Sequence, residues 1–191
     1  MQIEQTDLAG VLVLTPQRFG DARGFFCESW SAGRMAEAGL HYDFVQDNHS
    51  LSEVAGTVRG LHYQAPPHAQ AKLVRCGRGR FFDVAVDIRK GSPTYGQWTG
   101  VELSFENGKQ LLVPHGFLHG FATLEPDTEI IYKCDDYYAP DCDGAVRVVR
   151  KECVVRGHRG VRSPSPCRWM PRWRPCPGSR RQPRTSSCRS A

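Results

Sequence analysis

No stretch of this chain approaches the ~18 uninterrupted apolar residues that a membrane helix needs. The opening Met1-Gln2-Ile3-Glu4-Gln5 has no basic patch leading into an apolar run. No secretory leader is therefore expected, and the expected location is the cytoplasm, with no membrane partner. Among the eight cysteines no two stand in a Cys-x-x-Cys pair, which argues against zinc-ribbon and thioredoxin-type chemistry. Cys27, Cys76, Cys134 and Cys142 are expected as free thiols of a reducing compartment. Helical signal is scarce. Ser31 to Ala38 is the one clear candidate, with Ser31 as cap and Gly39 as stop. Acidic residues nearly vanish at the end of the chain. Of the 191 residues, those from 150 to 191 hold twelve Lys and Arg against the single acid Glu152, a net +11. Residues 1–149 then carry thirteen bases and nineteen acids, a net −6. The overall +5 thus joins an acidic body to a basic tail, and gives no ground for a nucleic-acid partner.

What the body does contain reads as β. Extended stretches are expected near Leu8–Leu14, Gly24–Trp30, Phe44–Ser50, Thr57–Gln64, Ala71–Cys76, Arg80–Ile88, Trp98–Phe105, Gln110–Val113, Leu118–Leu124 and Glu129–Cys134. Gly56, Pro66-Pro67, Gly77, Gly79, Gly91, Gly108, Pro114 and Gly116 punctuate them. Many short strands about ten residues apart predict a sandwich or barrel. Phe82, Val84, Val86 and Ile88 alternate with Asp83, Ala85 and Asp87, one apolar and one polar face. In an ordinary sandwich the polar face meets solvent; in a barrel with a polar lumen it meets a ligand.

After about Val149 the texture changes to Arg, Pro, Ser and Cys, and the alternation ends. The chain divides into a domain over residues 1–149 and an atypical tail over 150–191. The tail reads as disordered or loosely attached, as a basic interaction segment, or as a shifted reading frame in GC-rich DNA. The abruptness of the change favours the last.

Three clusters carry chemistry. Val58-Arg59-Gly60-Leu61-His62-Tyr63-Gln64 would place Arg59 and His62 on opposite strand faces, unless a bulge near Gly60 brings them together. A lone histidine more often serves as a half-buried, backbone-bonded side chain. Beside Arg59 and Lys72, however, its pKa would fall, and a neutral imidazole among cations suits proton abstraction next to a carbonyl. In Pro114-His115-Gly116-Phe117-Leu118-His119-Gly120-Phe121 the two histidines have the spacing of a helical metal pair. The glycines and proline argue against a helix, although on a strand both could share a face. Position 64 is Gln, so the His-x-His pattern of metal-binding cupins is absent and no metal is expected. The third cluster sets Tyr132 and Tyr138 around Lys133, Asp135 and Asp136, where a ring is either core or a stacking surface.

Taken in order, these segments resemble the dTDP-4-dehydrorhamnose 3,5-epimerase family. The likeness runs from about Leu8 to about Val146. It includes Asp21-Ala-Arg-Gly-Phe-Phe-Cys-Glu28, Val45-Gln-Asp-Asn-His-Ser50, the cluster around His62, Ala71-Lys72 and Asp83-Val-Ala-Val-Asp-Ile-Arg89. It continues through Gly91-Ser-Pro-Thr-Tyr-Gly96, the cluster around His119, Tyr132-Lys133 and Tyr137-Tyr-Ala-Pro140. The resemblance implies an all-β, cupin-like jelly-roll barrel with few short helices. It implies a dTDP-4-keto-6-deoxyhexose substrate, a homodimer joined through edge strands near the N-terminus, and no cofactor. The reaction implied is epimerisation of dTDP-4-dehydro-6-deoxy-D-glucose at C3 and C5 to dTDP-4-dehydro-L-rhamnose.

By the same resemblance His62 is the base, Tyr132 the acid on the opposite face, and Lys72 the neighbour of the 4-keto oxygen. Arg23, Glu28, Arg59 and His119 fall at sugar or diphosphate contacts. Gln46, Asp47 and Asn48 hold the nucleotide, Tyr138 stacks on thymine, and Asp143 stands where Glu is commoner. The family's C-terminal motif, whose carboxylate orients the histidine, has no counterpart in residues 150–191, leaving Asp83 as the stand-in. That departure keeps two alternatives open: a 3-epimerase of another deoxysugar pathway, or a catalytically impaired dTDP-sugar-binding cupin.

Overall fold

A computed structural model describes residues 1–146. The expected boundary at 149 and the readings of residues 150–191 lie outside the described residues. Thirteen strands and one short helix are described: β1 (Gln2–Gln5), β2 (Leu12–Thr15), β3 (Arg18–Asp21), β4 (Gly24–Cys27), α1 (Ala32–Glu37), β5 (Gln46–Ser52), β6 (Val58–Gln64), β7 (Lys72–Arg78), β8 (Arg80–Asp87), β9 (Trp98–Ser104), β10 (Gln110–Val113), β11 (Phe117–Thr123), β12 (Thr128–Cys134) and β13 (Asp143–Ala145).

The strands form a six-stranded sheet in the order β1-β2-β10-β7-β12-β5 and a five-stranded sheet in the order β13-β6-β11-β8-β9. A separate β3–β4 hairpin stands apart from both. Every pairing is antiparallel, and the crossovers that set β10 beside β2 and β12 beside β5 give the jelly-roll expected.

The space between the sheets is filled by alternate residues of both. Val13, Val74, Leu111, Val113 and Ile130 of one sheet meet Phe81, Ala85, Leu103, Phe117 and Phe121 of the other. The six-stranded sheet's outer face is covered by α1. Ser31 accepts from the backbone N–H of Arg34 at its start, and Gly39 at φ +76° follows its end. Met35 thereby lies on Leu12, Leu14, Leu73 and Leu112.

The alternation in β8 is real, but its faces are inverted relative to an ordinary sandwich. Val84, Val86 and Ile88 belong to a cluster with Leu61, Leu118 and Val146, whereas Asp83 and Asp87 are fully buried. A buried carboxylate requires partners. Asp87 accepts from Arg89, Ser92 and Thr94 at 2.6–3.0 Å, which ties down the turn between β8 and β9. Asp83 turns toward the site.

Candidate active site

The site begins with a bulge. His119 of β11 pairs with His62 of β6, yet Phe121 pairs with Arg59, so β6 takes one residue more than its partner. Gly60 lies in this irregularity at φ +115°, and the Gly60–Leu61 peptide is cis. A Cβ on Gly60 would fall 2.6 Å from the Cα of Gly120, so two glycines back to back permit the close approach. Regular alternation would send Arg59 and His62 to opposite faces. With the bulge, both line one cavity.

That cavity is an open cleft between the two sheets. Its residues come from both sheets. The five-stranded sheet supplies Arg59, His62, His119 and Phe121; the six-stranded sheet supplies Ser50, Lys72 and Tyr132. A second, smaller hollow borders Asp47, Arg75 and Lys133 and includes neither His62 nor Lys72. Acid–base chemistry selects the first.

Burial is the first influence on three titratable groups of the cavity. His62 stands exposed at its mouth. The surrounding protein withdraws enough water to lower its pKa, and Lys72 and His119 lower it further, while Asp143 on β13 pulls the other way. Burial also lowers Lys72, against the pull of Cys134, Asp143 and Asp83. Burial raises Tyr132, with Arg59 acting in the opposite sense, so its phenol keeps its proton at neutral pH. Lys72 Nζ lies 6.0 Å from the centre of the Tyr132 ring. The arrangement offers an imidazole able to accept a proton, a phenol able to give one, and a cation beside it.

Asp83 does not serve His62. Its Oδ1 meets Nε2 of His119 at 2.7 Å with both side chains buried, because β8 and β11 are neighbours and Asp83 faces inward. The expectation that Asp83 stands in for an orienting carboxylate is thus corrected: it orients His119. The acid whose field reaches His62 is Asp143. The two histidines of the second cluster also part company. His115 precedes β11 and pairs with Asp135 at 2.8 Å, while His119 points inward.

The structure brings together Arg59, His62, Lys72, His119 and Tyr132. Gln46 and Asn48 share the inward-facing side of β5 and bond to each other at 3.1 Å. Asp47, one residue out of phase, faces away and pairs with Lys133 at 2.8 Å. Arg23 is exposed at the tip of the β3–β4 hairpin and pairs with Asp21, and Glu28 pairs with Arg34 at 3.0 Å. Neither reaches the cavity of its own chain. Tyr138 is 59% exposed, and its backbone N–H donates to Gln46 Oε1 at 3.1 Å. Ser50 and Phe121 line the cavity without having been singled out. Period two from Asn48 and from His119 was the signal for them.

Comparison with known proteins gives this geometry its relatives. The sequence pattern described as dTDP-4-dehydrorhamnose 3,5-epimerase matches residues 5–157. The dTDP-4-dehydrorhamnose 3,5-epimerase of Shigella flexneri is 53% identical over 140 residues, 73% of this chain and 77% of that one. A solved dTDP-4-dehydrorhamnose 3,5-epimerase from Bacillus anthracis, with TDP and PPi bound, is 49% identical, with a TM-score of 0.74 over 76% of this chain and 83% of that one. A dTDP-6-deoxy-D-glucose-3,5-epimerase from Legionella pneumophila, in complex with dTDP-4-keto-L-rhamnose, is 48% identical, with a TM-score of 0.73 over 76% and 77%. At half identity across a shared cupin fold, with the inward-facing histidines, lysine and tyrosine all in the matched span, this chain belongs to the dTDP-4-dehydrorhamnose 3,5-epimerase family.

Proposed function

We propose that the protein epimerises dTDP-4-dehydro-6-deoxy-D-glucose at C3 and C5, giving dTDP-4-dehydro-L-rhamnose for dTDP-L-rhamnose biosynthesis, with His62 as base and Tyr132 as acid. The observation that carries this reading is that His62 and Tyr132 stand on opposite sheets across one cavity. Inversion at carbon needs a proton removed from one face and returned to the other. Both C3–H and C5–H are alpha to the 4-keto group. Neutral His62 takes the proton, the electron pair moves onto the keto oxygen, and the Lys72 ammonium stabilises the resulting enolate. Tyr132 then delivers a proton to the far face and is reprotonated from solvent, while His62 releases its proton to solvent. Each inversion leaves the oxidation state unchanged, so the chemistry calls for no redox cofactor.

Arg59 and His119 serve the sugar and diphosphate, Gln46 and Asn48 the nucleotide, and Tyr138 the base by stacking. The cytoplasm, where nucleotide sugars are made, is the proposed location; among the described residues no helix is long and apolar enough to cross a membrane. A homodimer is supported by the β3–β4 hairpin, which exposes Phe19, Phe25 and Phe26 at 44–69%, and by the open edge of β1. Because Arg23 and Glu28 miss the cavity of their own chain, their contact with substrate needs the hairpin of a second copy.

The test is incubation with dTDP-4-dehydro-6-deoxy-D-glucose in deuterium oxide, followed by NMR. Deuterium is expected at C3 and C5 with formation of the L-rhamno product. Exchange at C3 alone makes the protein a 3-epimerase. Binding of dTDP with no exchange at either carbon makes it a sugar-nucleotide-binding cupin.

A further inference from the structure

Gln64 ends β6 two residues beyond His62, and its side chain is 6% exposed. An amide offers one acceptor oxygen and two donor hydrogens. Gln64 uses both ends. Oε1 accepts from the backbone N–H of Ala139 at 2.9 Å, and Nε2 donates to the carbonyl of Tyr137 at 2.9 Å and to the carbonyl of His68. Two carbonyls on one side and an N–H on the other permit only this orientation of the amide. Tyr137 and Ala139 are the two neighbours of Tyr138, whose own N–H is taken by Gln46. Two glutamines thus bind the backbone of three successive residues. The segment is pinned further where Gln70 donates to the Asp136 carbonyl at 2.8 Å and His68 Nδ1 meets the Asp136 carboxylate at 3.1 Å. Tyr138 stacks on no other aromatic ring among the described residues, and more than half of it is exposed.

We propose that Gln64 is a positioning residue for the nucleotide: it clamps the backbone on both sides of Tyr138 and so presets the ring for stacking on the base. The position that would complete a His-x-His metal pair in a metal-binding cupin is here given over to holding a loop. This inference rests on the reading of Tyr138 as the stacking residue. A side chain fixed in advance binds without a further ordering cost, which is why the effect falls on nucleotide affinity and on KM rather than on kcat.

Binding of dTDP by the full chain, titrated for the native protein, Gln64→Met, Tyr138→Ala and the double variant, tests the idea. Gln64→Met keeps the shape and removes all three bonds; it is expected to weaken dTDP roughly tenfold. In the Tyr138→Ala background the same change is expected to add little, because the ring it positions is gone. Gln64→Asn keeps the amide but is one methylene too short to hold the same three bonds, and should show the same coupling, so the test survives if the Met variant fails to fold. If Tyr138→Ala leaves dTDP affinity unchanged, the stacking role fails and the clamp with it. If Tyr138→Ala weakens binding but both Gln64 variants bind as the native protein does, the clamp alone is overturned. Equal losses from the Gln64 variants in both backgrounds also overturn it, since Gln64 would then act on the fold and not through Tyr138.

Discussion

His62 owes its lowered pKa first to burial and then to Lys72 and His119, with Asp143 opposing them. Its lowered pKa sets the acid side of the pH profile, since only the neutral ring can take a proton. The acid limb of kcat/KM is therefore expected below the ordinary histidine value of 6.5. Asp143 raises the pKa of His62, so Asp143→Asn should move that limb to lower pH. Lys72 lowers it, so Lys72→Met should move the limb upward. The same Lys72→Met change should reduce kcat by about 10²–10³-fold, the usual effect of deleting an oxyanion partner. A pH–rate series on the three proteins checks both directions; a limb that stays put in Asp143→Asn shows that this carboxylate does not reach the base. His62→Asn should abolish deuterium exchange at C3 and C5, while Tyr132→Phe should permit exchange without full inversion. Retained exchange in His62→Asn would move the base elsewhere.

At the scale of elements, the turn after β8 is an assembly around one carboxylate. Burial alone would raise the pKa of Asp87, but donors from Arg89, Ser92 and Thr94 outweigh it and hold the group well below the ordinary 3.8. A carboxyl depressed by folding stabilises fully above its unfolded pKa, and that contribution is lost as pH falls below it toward the folded value. Asp87→Asn should thus cost about 1.5–3 kcal/mol at pH 7, the worth of a charged hydrogen bond, since Arg89 retains access to water. The gap to the native protein should narrow in urea unfolding at pH 3. A gap unchanged with pH would mean that the charge of Asp87 is immaterial.

Elements also differ in how far the sequence disclosed them. β10 spans Gln110–Val113 as expected, and α1 lies within the span that Ser31 and Gly39 bracket, because apolar alternation and caps are local signals. β1 gave no such signal, having four exposed residues and no apolar period. β13 was missed because its three residues, Asp143–Ala145, are a strand only through pairing with β6. In the site, the Gly60 bulge was legible because glycine is the residue it requires. The outward turn of Asp47 followed from simple alternation with Gln46 and Asn48, but adjacency in the motif obscured it. The partner of Asp83 depended on which strand lies beside β8, which is a matter of topology.

At the scale of the whole molecule, the proposed base His62, acid Tyr132 and cation Lys72 all precede residue 147, whereas the family resemblance places a further carboxylate in the C-terminal sequence. From residue 147 onward the sequence has no aspartate and a single glutamate. The carboxylate that the family resemblance assigns to this region, for orienting the histidine base, has no counterpart there. Asp83 bonds His119 and not His62, and among the described residues Asp143 is the acid with an effect on His62. A histidine base deprived of its orienting carboxylate can lose up to about 10⁴-fold in rate, as in the serine-protease triad. Nucleotide binding should not share that loss, because Gln46, Asn48, Arg59, Gln64 and Tyr138 all precede residue 147. Replacing residues 147–191 with the corresponding segment of the Shigella flexneri relative is therefore expected to raise kcat by orders of magnitude while leaving dTDP affinity nearly constant. If the native chain already turns over as fast as the chimera, Asp143 suffices to hold His62 in its working tautomer. Asp143→Asn, made in the native chain, should then remove the activity that the chimera keeps.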